Sequence, residues 1–311
     1  MEARNGVLAM VGACVIWGLS SMYYKLLAHV PPLEVLGHRT LWSLVFFGLV
    51  LAAQGRLTEI ARLVARPRAL AVVFLAALAI STNWFFFIFS IQTGHAVEAS
   101  LGYYIFPLVA VALGFAFLGE RHSAAKWVAV AMACIAVAGL TWGLGVAPWA
   151  SLALAGTFGI YGLLKRAVPA GPVVSVTTEV LLLAPLALVW LWGVHAQGWT
   201  GLTGRHLATF GHDLSDSLLL MLSGPLTATP LILFSYASKR VSYATVGLVQ
   251  YLNPTLQFLV ATMVFREAFT PWHGFAFALI WAALALYSAE SLRQERASRR
   301  ASISVGTSGT T

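Results

Sequence analysis

The chain has 311 residues, 59% of them apolar and 10% charged, against roughly 45–50% and roughly 25% in soluble domains. So few charges cannot build a surface facing water, which excludes a cytosolic enzyme, a disordered chain and a disulfide-stapled secreted domain. The formal net charge of +8 would suit nucleic acid in a soluble protein, but in a bilayer protein Lys and Arg set orientation, so their placement decides between the two.

Ten apolar stretches follow one another at about 7–27, 34–53, 69–91, 97–118, 126–145, 148–165, 172–194, 216–236, 241–265 and 270–290. A helix of about 20 such residues crosses roughly 30 Å of hydrocarbon. The first stretch follows Glu2 and Arg4 and is too long for a signal-peptide core, so it reads as a span. It contains Cys14, Trp17-Gly18 and, at its end, Lys25. The second carries Glu34, His38 and Arg39. The third carries Asn83 and Trp84, with Phe85, Phe86, Phe87 and Phe89 beyond; the fourth carries Glu98, Tyr103, Tyr104 and Pro107. Cys134 lies in the fifth, Tyr161-Gly162 and Lys165 in the sixth, and Glu179 in the seventh. The longest interruption, 195–215, reads as an external loop or a short interfacial helix. The ninth stretch holds Gln250, Tyr251, Asn253 and Pro254, and residues 293–311 read as a disordered cytoplasmic tail. Both cysteines fall inside apolar runs, so no metal, redox pair or cofactor is expected.

With Lys126 and Lys165, at stretch edges, counted with the adjoining loops, fifteen of the nineteen Lys and Arg residues fall in the N-terminal segment, the even-numbered loops and the tail; only Arg205 and Arg266 fall in odd-numbered loops. That asymmetry predicts cytoplasmic termini and removes nucleic acid as a partner, leaving the lipid bilayer and a small-molecule solute.

The fourth and ninth stretches share a pattern. Tyr104-Ile105-Phe106-Pro107 is followed thirteen residues later by Glu120, and Tyr251-Leu252-Asn253-Pro254 thirteen residues later by Glu267. Trp17-Gly18 with Lys25 and Tyr161-Gly162 with Lys165 give a weaker echo. The fold expected is therefore an all-α integral membrane protein of ten transmembrane helices, in two inverted five-helix repeats at 1–146 and 147–292. Proline in a helix removes a donor, so Pro107 and Pro254 should break their helices and leave polar backbone inside the membrane, the usual pointer to a central site.

Ionisable groups in hydrocarbon need a reason. Lys25, Glu34, His38, Arg39 and Glu98 form a mixed-sign set in one half of the membrane, and Arg39 lies deep enough for its fork to bind an anionic group. Glu179 has no basic residue in its own span and reads as a lone acid suited to proton coupling. The substrate-binding candidates are Arg39, His38, Asn83, Trp84, Tyr103, Tyr104, Gln250, Tyr251 and Asn253. Most of the phenylalanines after Trp84 read as facing lipid or neighbouring helices.

The five-plus-five plan resembles the drug/metabolite transporter superfamily in its EamA branch. The stretches His38-Arg39-Thr40-Leu41-Trp42-Ser43, Asn83-Trp84-Phe85-Phe86-Phe87-Ile88, Glu98-Ala99-Ser100-Leu101-Gly102-Tyr103-Tyr104-Ile105, Leu118-Gly119-Glu120-Arg121 and Gln250-Tyr251 are similar to RarD-type proteins. The resemblance extends to about Arg293 and implies a carrier in the bacterial cytoplasmic membrane. One departure is Phe106, where the family commonly has Asn; a solute contact at that position would be lost here or moved to Asn253. A membrane enzyme lacks its motifs here, with no His-Glu-x-x-His or Gly-x-Ser-x-Gly. A channel lacks a filter-like carbonyl loop. With no phosphate-binding Gly-x-x-x-x-Gly-Lys loop, a secondary transporter using a proton or solute gradient is the expected function.

Overall fold

The computed structural model describes residues 2–201, 208–238, 240–241 and 243–307. Arg205, His206 and Lys239 lie outside the described residues. Twelve α-helices follow one another among the described residues: α1 (Glu2–Leu26), α2 (Pro32–Ala53), α3 (Leu57–Val64), α4 (Pro67–Gln92), α5 (Ala96–Leu118), α6 (Ala124–Leu144), α7 (Trp149–Lys165), α8 (Pro172–Gln197), α9 (Leu214–Ser238), α10 (Tyr243–Gln250), α11 (Leu252–Leu259) and α12 (Pro271–Thr307). Eight of them, α1, α2, α4, α5, α6, α8, α9 and α12, are long and apolar enough to cross a membrane.

The other expected spans have different shapes. α7 has 17 residues, about 25 Å at 1.5 Å per residue. The stretch 241–265 is interrupted at Tyr251 and continues beyond α11 as a π-helical turn, Val260–Val264. The interruption lies where Pro254 cannot donate to the carbonyl of Gln250 and its ring crowds that carbonyl. Pro107 has not broken α5, which runs unbroken through it. The helix α3, not expected from the sequence, is a short surface piece in which Leu63 alone is buried, against Leu51, Val73 and Val174. Backbone expected to be irregular from 293 is helical to Thr307.

Contacts between distant segments divide the molecule into two ends. At one end Arg166 pairs with Glu120, Gly6 lies against Arg240 and Val241, and Lys126 stands over the Tyr287 ring. At the other, the Gln92 side-chain amide donates to the carbonyls of Leu27 (2.9 Å) and Val30 (3.1 Å), the Ser151 hydroxyl to that of Glu98 (2.7 Å), and His29 meets Asp216 at 2.7 Å. We call these the basic end and the far end. Despite its length α7 therefore runs from one end of α5 to the other. The segment 240–265 likewise follows α1, from Gly6 to Lys25, which stands over the Phe265 ring.

Neighbour relations recur between the halves. α1 packs on α9 and α11 as α7 packs on α4 and α5. Gly18 brings α1 onto the Asn253 carbonyl and Leu256, and Gly162 faces Phe106. The turns after α5 and after the π-helical segment also match: Glu120 N–H donates to the Gly114 carbonyl (3.2 Å) and Glu267 N–H to that of Ala261 (3.1 Å). Each turn passes through a left-handed residue, Gly119 (φ 64°) and Arg266 (φ 54°), the conformation in which helices commonly end. Arg266 is the one non-glycine residue with positive φ among those described.

Candidate solute-binding cavity

A cavity of about 740 Å³ runs between α1, α2, α4, α5, α7, α8, α9, α10, α11 and α12. It reaches the basic end, where exposed Pro172 and half-buried Ser291 and Leu292 line it. Its inner limit is at Arg39, Tyr24 and Phe87. Beyond these the far half is filled by packed side chains including Tyr23, Leu27, Val30, Ile88, Ile91 and Leu101.

Arg39 reaches this cavity from the middle of α2. It is 7% exposed, its guanidinium carbon sits 4.1 Å from the centre of the Trp84 ring, and one terminal nitrogen donates to the Tyr24 hydroxyl at 2.7 Å. Its Nε has no hydrogen-bond partner, and among the described residues no carboxylate pairs with it. A cation so placed is stabilised by the ring face and is aimed by the Tyr24 bond. Gln257 is a second buried polar group in the wall, 3% exposed; its amide donates to the Asn253 oxygen (3.0 Å) and its own oxygen is unpartnered.

Asn83 is fully engaged. Its amide donates to the Leu154 carbonyl (3.0 Å) and the Thr157 hydroxyl (2.9 Å), while its oxygen accepts from Tyr103 (3.1 Å). It ties α4 to α7 and presents Tyr103 to the cavity. Phe106 and Asn253, at corresponding places in the two halves, both line the cavity, and Phe106 meets Phe158 edge-on at 4.7 Å.

The reading of Glu179 as a lone acid is overturned. The ammonium of Lys165, at the end of α7, lies 2.6 Å from one carboxylate oxygen, Ser175 donates to the same oxygen (2.9 Å), and the Tyr161 hydroxyl donates to the other (3.1 Å). Lys165 also donates to Ser175. Burial of both charges is sustained by this pairing. Glu179 is absent from the cavity lining, whereas Lys165 and Tyr161 belong to it, so the acid stands one layer behind the wall.

Of the other expected site residues, Arg39, Asn83, Trp84, Tyr103, Gln250, Tyr251, Asn253, Pro107 and Pro254 line the cavity. His38 and Tyr104 do not. His38 stacks on Phe210 at 4.6 Å, because the adjacent residue on a helix points about 100° away. Tyr104 turns away from the cavity for the same reason, into packing with Phe277 and Trp281, and its hydroxyl lies 2.6 Å from Thr255. The mixed-sign set is not an ion-paired cluster: Lys25 donates to the Ile91 carbonyl (3.4 Å), and Glu34 accepts from the Thr209 amide (3.2 Å). Phe85 and Phe89 stack on each other, and Phe86 and Phe89 meet Trp149, leaving Phe87 as the phenylalanine of that run in the wall. Sequence reasoning missed Tyr24, Gln257, Phe158 and Tyr287; Trp17, Tyr161 and Lys165 carried a signal in the weak repeat.

Comparison with known proteins agrees with this architecture. Residues 4–142 match the EamA-like transporter family. Protein RarD of Streptomyces exfoliatus is 41% identical, over 96% of this chain and 92% of its own. An uncharacterized transporter of Pseudomonas aeruginosa is 39% identical over 94% and 96%. The chain belongs to the RarD-type EamA transporters. A protein of known crystal structure, 21% identical, superposes with a TM-score of 0.59 over 90% of this chain and 96% of its own, which shows a shared fold. This RarD-type protein is thus a multi-pass membrane transporter, and its cavity is where the search for a solute begins.

Proposed function

We infer that the protein is a secondary transporter that moves a small amphipathic solute with an anionic group across the bacterial cytoplasmic membrane by alternating access. The observation that carries this reading is Arg39: a buried, aromatic-stacked guanidinium with an unpartnered Nε and, among the described residues, no paired carboxylate, at the closed end of a large cavity rich in aromatic side chains. A solute carboxylate or phosphate meets the fork, and a planar or apolar body lies among Trp84, Phe87, Tyr103 and Phe158. Ten crossings in two inverted five-helix repeats, 1–146 and 147–292, are part of this reading, supported by the recurring neighbour relations and turns and by segments α7 and 240–265 running the length of α5 and α1. The basic end faces the cytoplasm by the distribution of Lys and Arg, with both termini there, so the conformation is open inward.

Coupling involves Glu179 through Lys165. A proton on Glu179 releases Lys165, which already faces the cavity, as a second cation for the solute, so proton and anion bind together. Chemistry on the solute plays no part in this reading.

Reconstitution into liposomes and uptake of a panel of aromatic and aliphatic anions under an imposed pH gradient tests the reading. Arg39→Lys keeps the charge and loses the fork, and a charged hydrogen bond of about 1.5–3 kcal/mol predicts roughly 10- to 100-fold weaker solute binding. Glu179→Gln should abolish dependence on the pH gradient while binding persists. Binding unchanged in Arg39→Lys would move the solute site elsewhere.

A further inference from the structure

At the closed, far end of the cavity an acid sits at a helix start. Both carboxylate oxygens of Glu267 accept from backbone N–H groups in the first turn of α5, Ala96 at 2.9 Å and Val97 at 2.8 Å. Those amides have no partner within the helix, and the positive end of the helix dipole adds to the attraction. Glu267 follows the segment containing Pro254 and α5 contains Pro107, so this contact fastens the two matched segments to each other at the closed end.

Glu120 is the corresponding acid of the first half. It occupies the same turn, with the same left-handed residue before it and the same backbone bond behind it, and the offset from 120 to 267 is that from 107 to 254. The first turn of α10 corresponds to that of α5, with Tyr243 and Ala244 in place of Ala96 and Val97. Here, however, the Glu120 carboxylate is held by Arg166, with His122 at 3.6 Å, and it folds over Gly114, where a side-chain carbon would come within 2.5 Å of it. The end at which Glu120 stands is the open one.

We propose that Glu267 and Glu120 are reciprocal latches of alternating access: Glu267 on the amides of Ala96 and Val97 closes the far end, and Glu120, on leaving Arg166, closes the basic end on the amides of Tyr243 and Ala244. Only one cap is made at a time, because making both would shut the cavity at both ends and leave the Arg166 pairing unmade. This rests on the inverted-repeat, alternating-access reading above.

The test uses single-cysteine reporters in a background with Cys14 and Cys134 changed to Ala. Leu248 lines the open end and is 44% exposed, while its counterpart Leu101 is fully buried in the far half. Leu248→Cys and Leu101→Cys are labelled with a membrane-impermeant maleimide in vesicles of either orientation. Loss of a helix cap shifts the balance of the two states by roughly tenfold. Glu267→Gln should raise labelling at 101 by about that factor and lower it at 248. Glu120→Gln should lower it at 101. Arg166→Gln, a change at an exposed residue that leaves folding intact, should raise labelling at 101 from the opposite end of the protein. A rise at both positions in Glu267→Gln would mean general loosening and overturn the latch. Labelling at 101 that is measurable but unchanged in all three variants would overturn the latch alone. Absence of labelling at 101 in every protein, the cysteine background included, would overturn alternating access and the latch with it.

Discussion

At the residue scale, the pair Lys165–Glu179 is where charge is most deeply committed: the two side chains are 22% and 1% exposed. Removing one partner leaves the other buried and unpaired. Lys165→Met should therefore destabilise the protein by about 3–5 kcal/mol, and the double variant Lys165→Met/Glu179→Gln should recover most of that loss. Thermal melts of the parent and both variants in detergent check this; equal melting temperatures in all three would mean that the pair contributes nothing, and no recovery in the double variant would refute the unpaired-charge account. The exposed pair Glu120–Arg166 behaves differently. The Arg166 hydrogen bond holds the Glu120 carboxyl below the usual carboxylate range, with burial acting weakly the other way. A lowered native value means that the pairing contributes fully above the ordinary carboxylate range and that its contribution disappears as pH falls through the lowered one. The small difference in melting temperature between the parent and Glu120→Gln should shrink toward zero across that acid interval and stay constant from neutral pH upward. Arg39 was legible in the sequence as a cation too deep in a span for the headgroups. The partner of Glu179 was not, because Lys165 belongs to the neighbouring helix and only packing brings the two together.

At the scale of elements, glycines decide how closely the helices approach. An added methyl at Gly18 would lie 2.6 Å from Leu256 Cβ and 3.1 Å from the Asn253 carbonyl. Because Asn253 belongs to backbone that lines the cavity, Gly18→Ala should push α1 from α11 and cost about 1–3 kcal/mol in overpacking. Gly48, in α2, has nothing within 4 Å of that methyl, so Gly48→Ala should stabilise its helix by about 0.5–1 kcal/mol. A pair of thermal melts moving in opposite directions would bear this out, and a lower melting temperature in both would refute it. Long helices were readable because hydrocarbon thickness dictates their length. The effect of the two matched prolines was readable only in one half. The sequence marks a missing donor at both, but tertiary packing decides whether the helix continues through it, as α5 does, or parts, as α10 and α11 do. The short helix α3 escaped notice because its eight residues include one buried side chain, too few to form a periodic pattern.

At the scale of the whole molecule, the question is whether α7 and the broken segment 240–265 cross the bilayer, since neither is among the eight long apolar helices. α7 measures about 25 Å against a hydrocarbon core of roughly 30 Å. Its neighbours favour crossing: it meets α5 at the far end through Ser151 and Glu98, and Arg166 beyond its other end meets Glu120. A helix that failed to cross would reverse the side of every later loop, and the uneven distribution of Lys and Arg would disappear. Single cysteines at Arg62, Val146, Arg166, Arg240 and Arg266 separate the possibilities. With ten crossings, Arg62, Arg166 and Arg240 should react with impermeant maleimide from the cytoplasmic side, and Val146 and Arg266 from outside. Val146 and Arg166 on one side would remove the α7 crossing, and Arg240 with Arg266 on one side would remove the ninth. Either result would leave a half with an even number of crossings. That half could not be inverted relative to its partner, and the matched turns at Gly119 and Arg266 would then face the same side of the membrane.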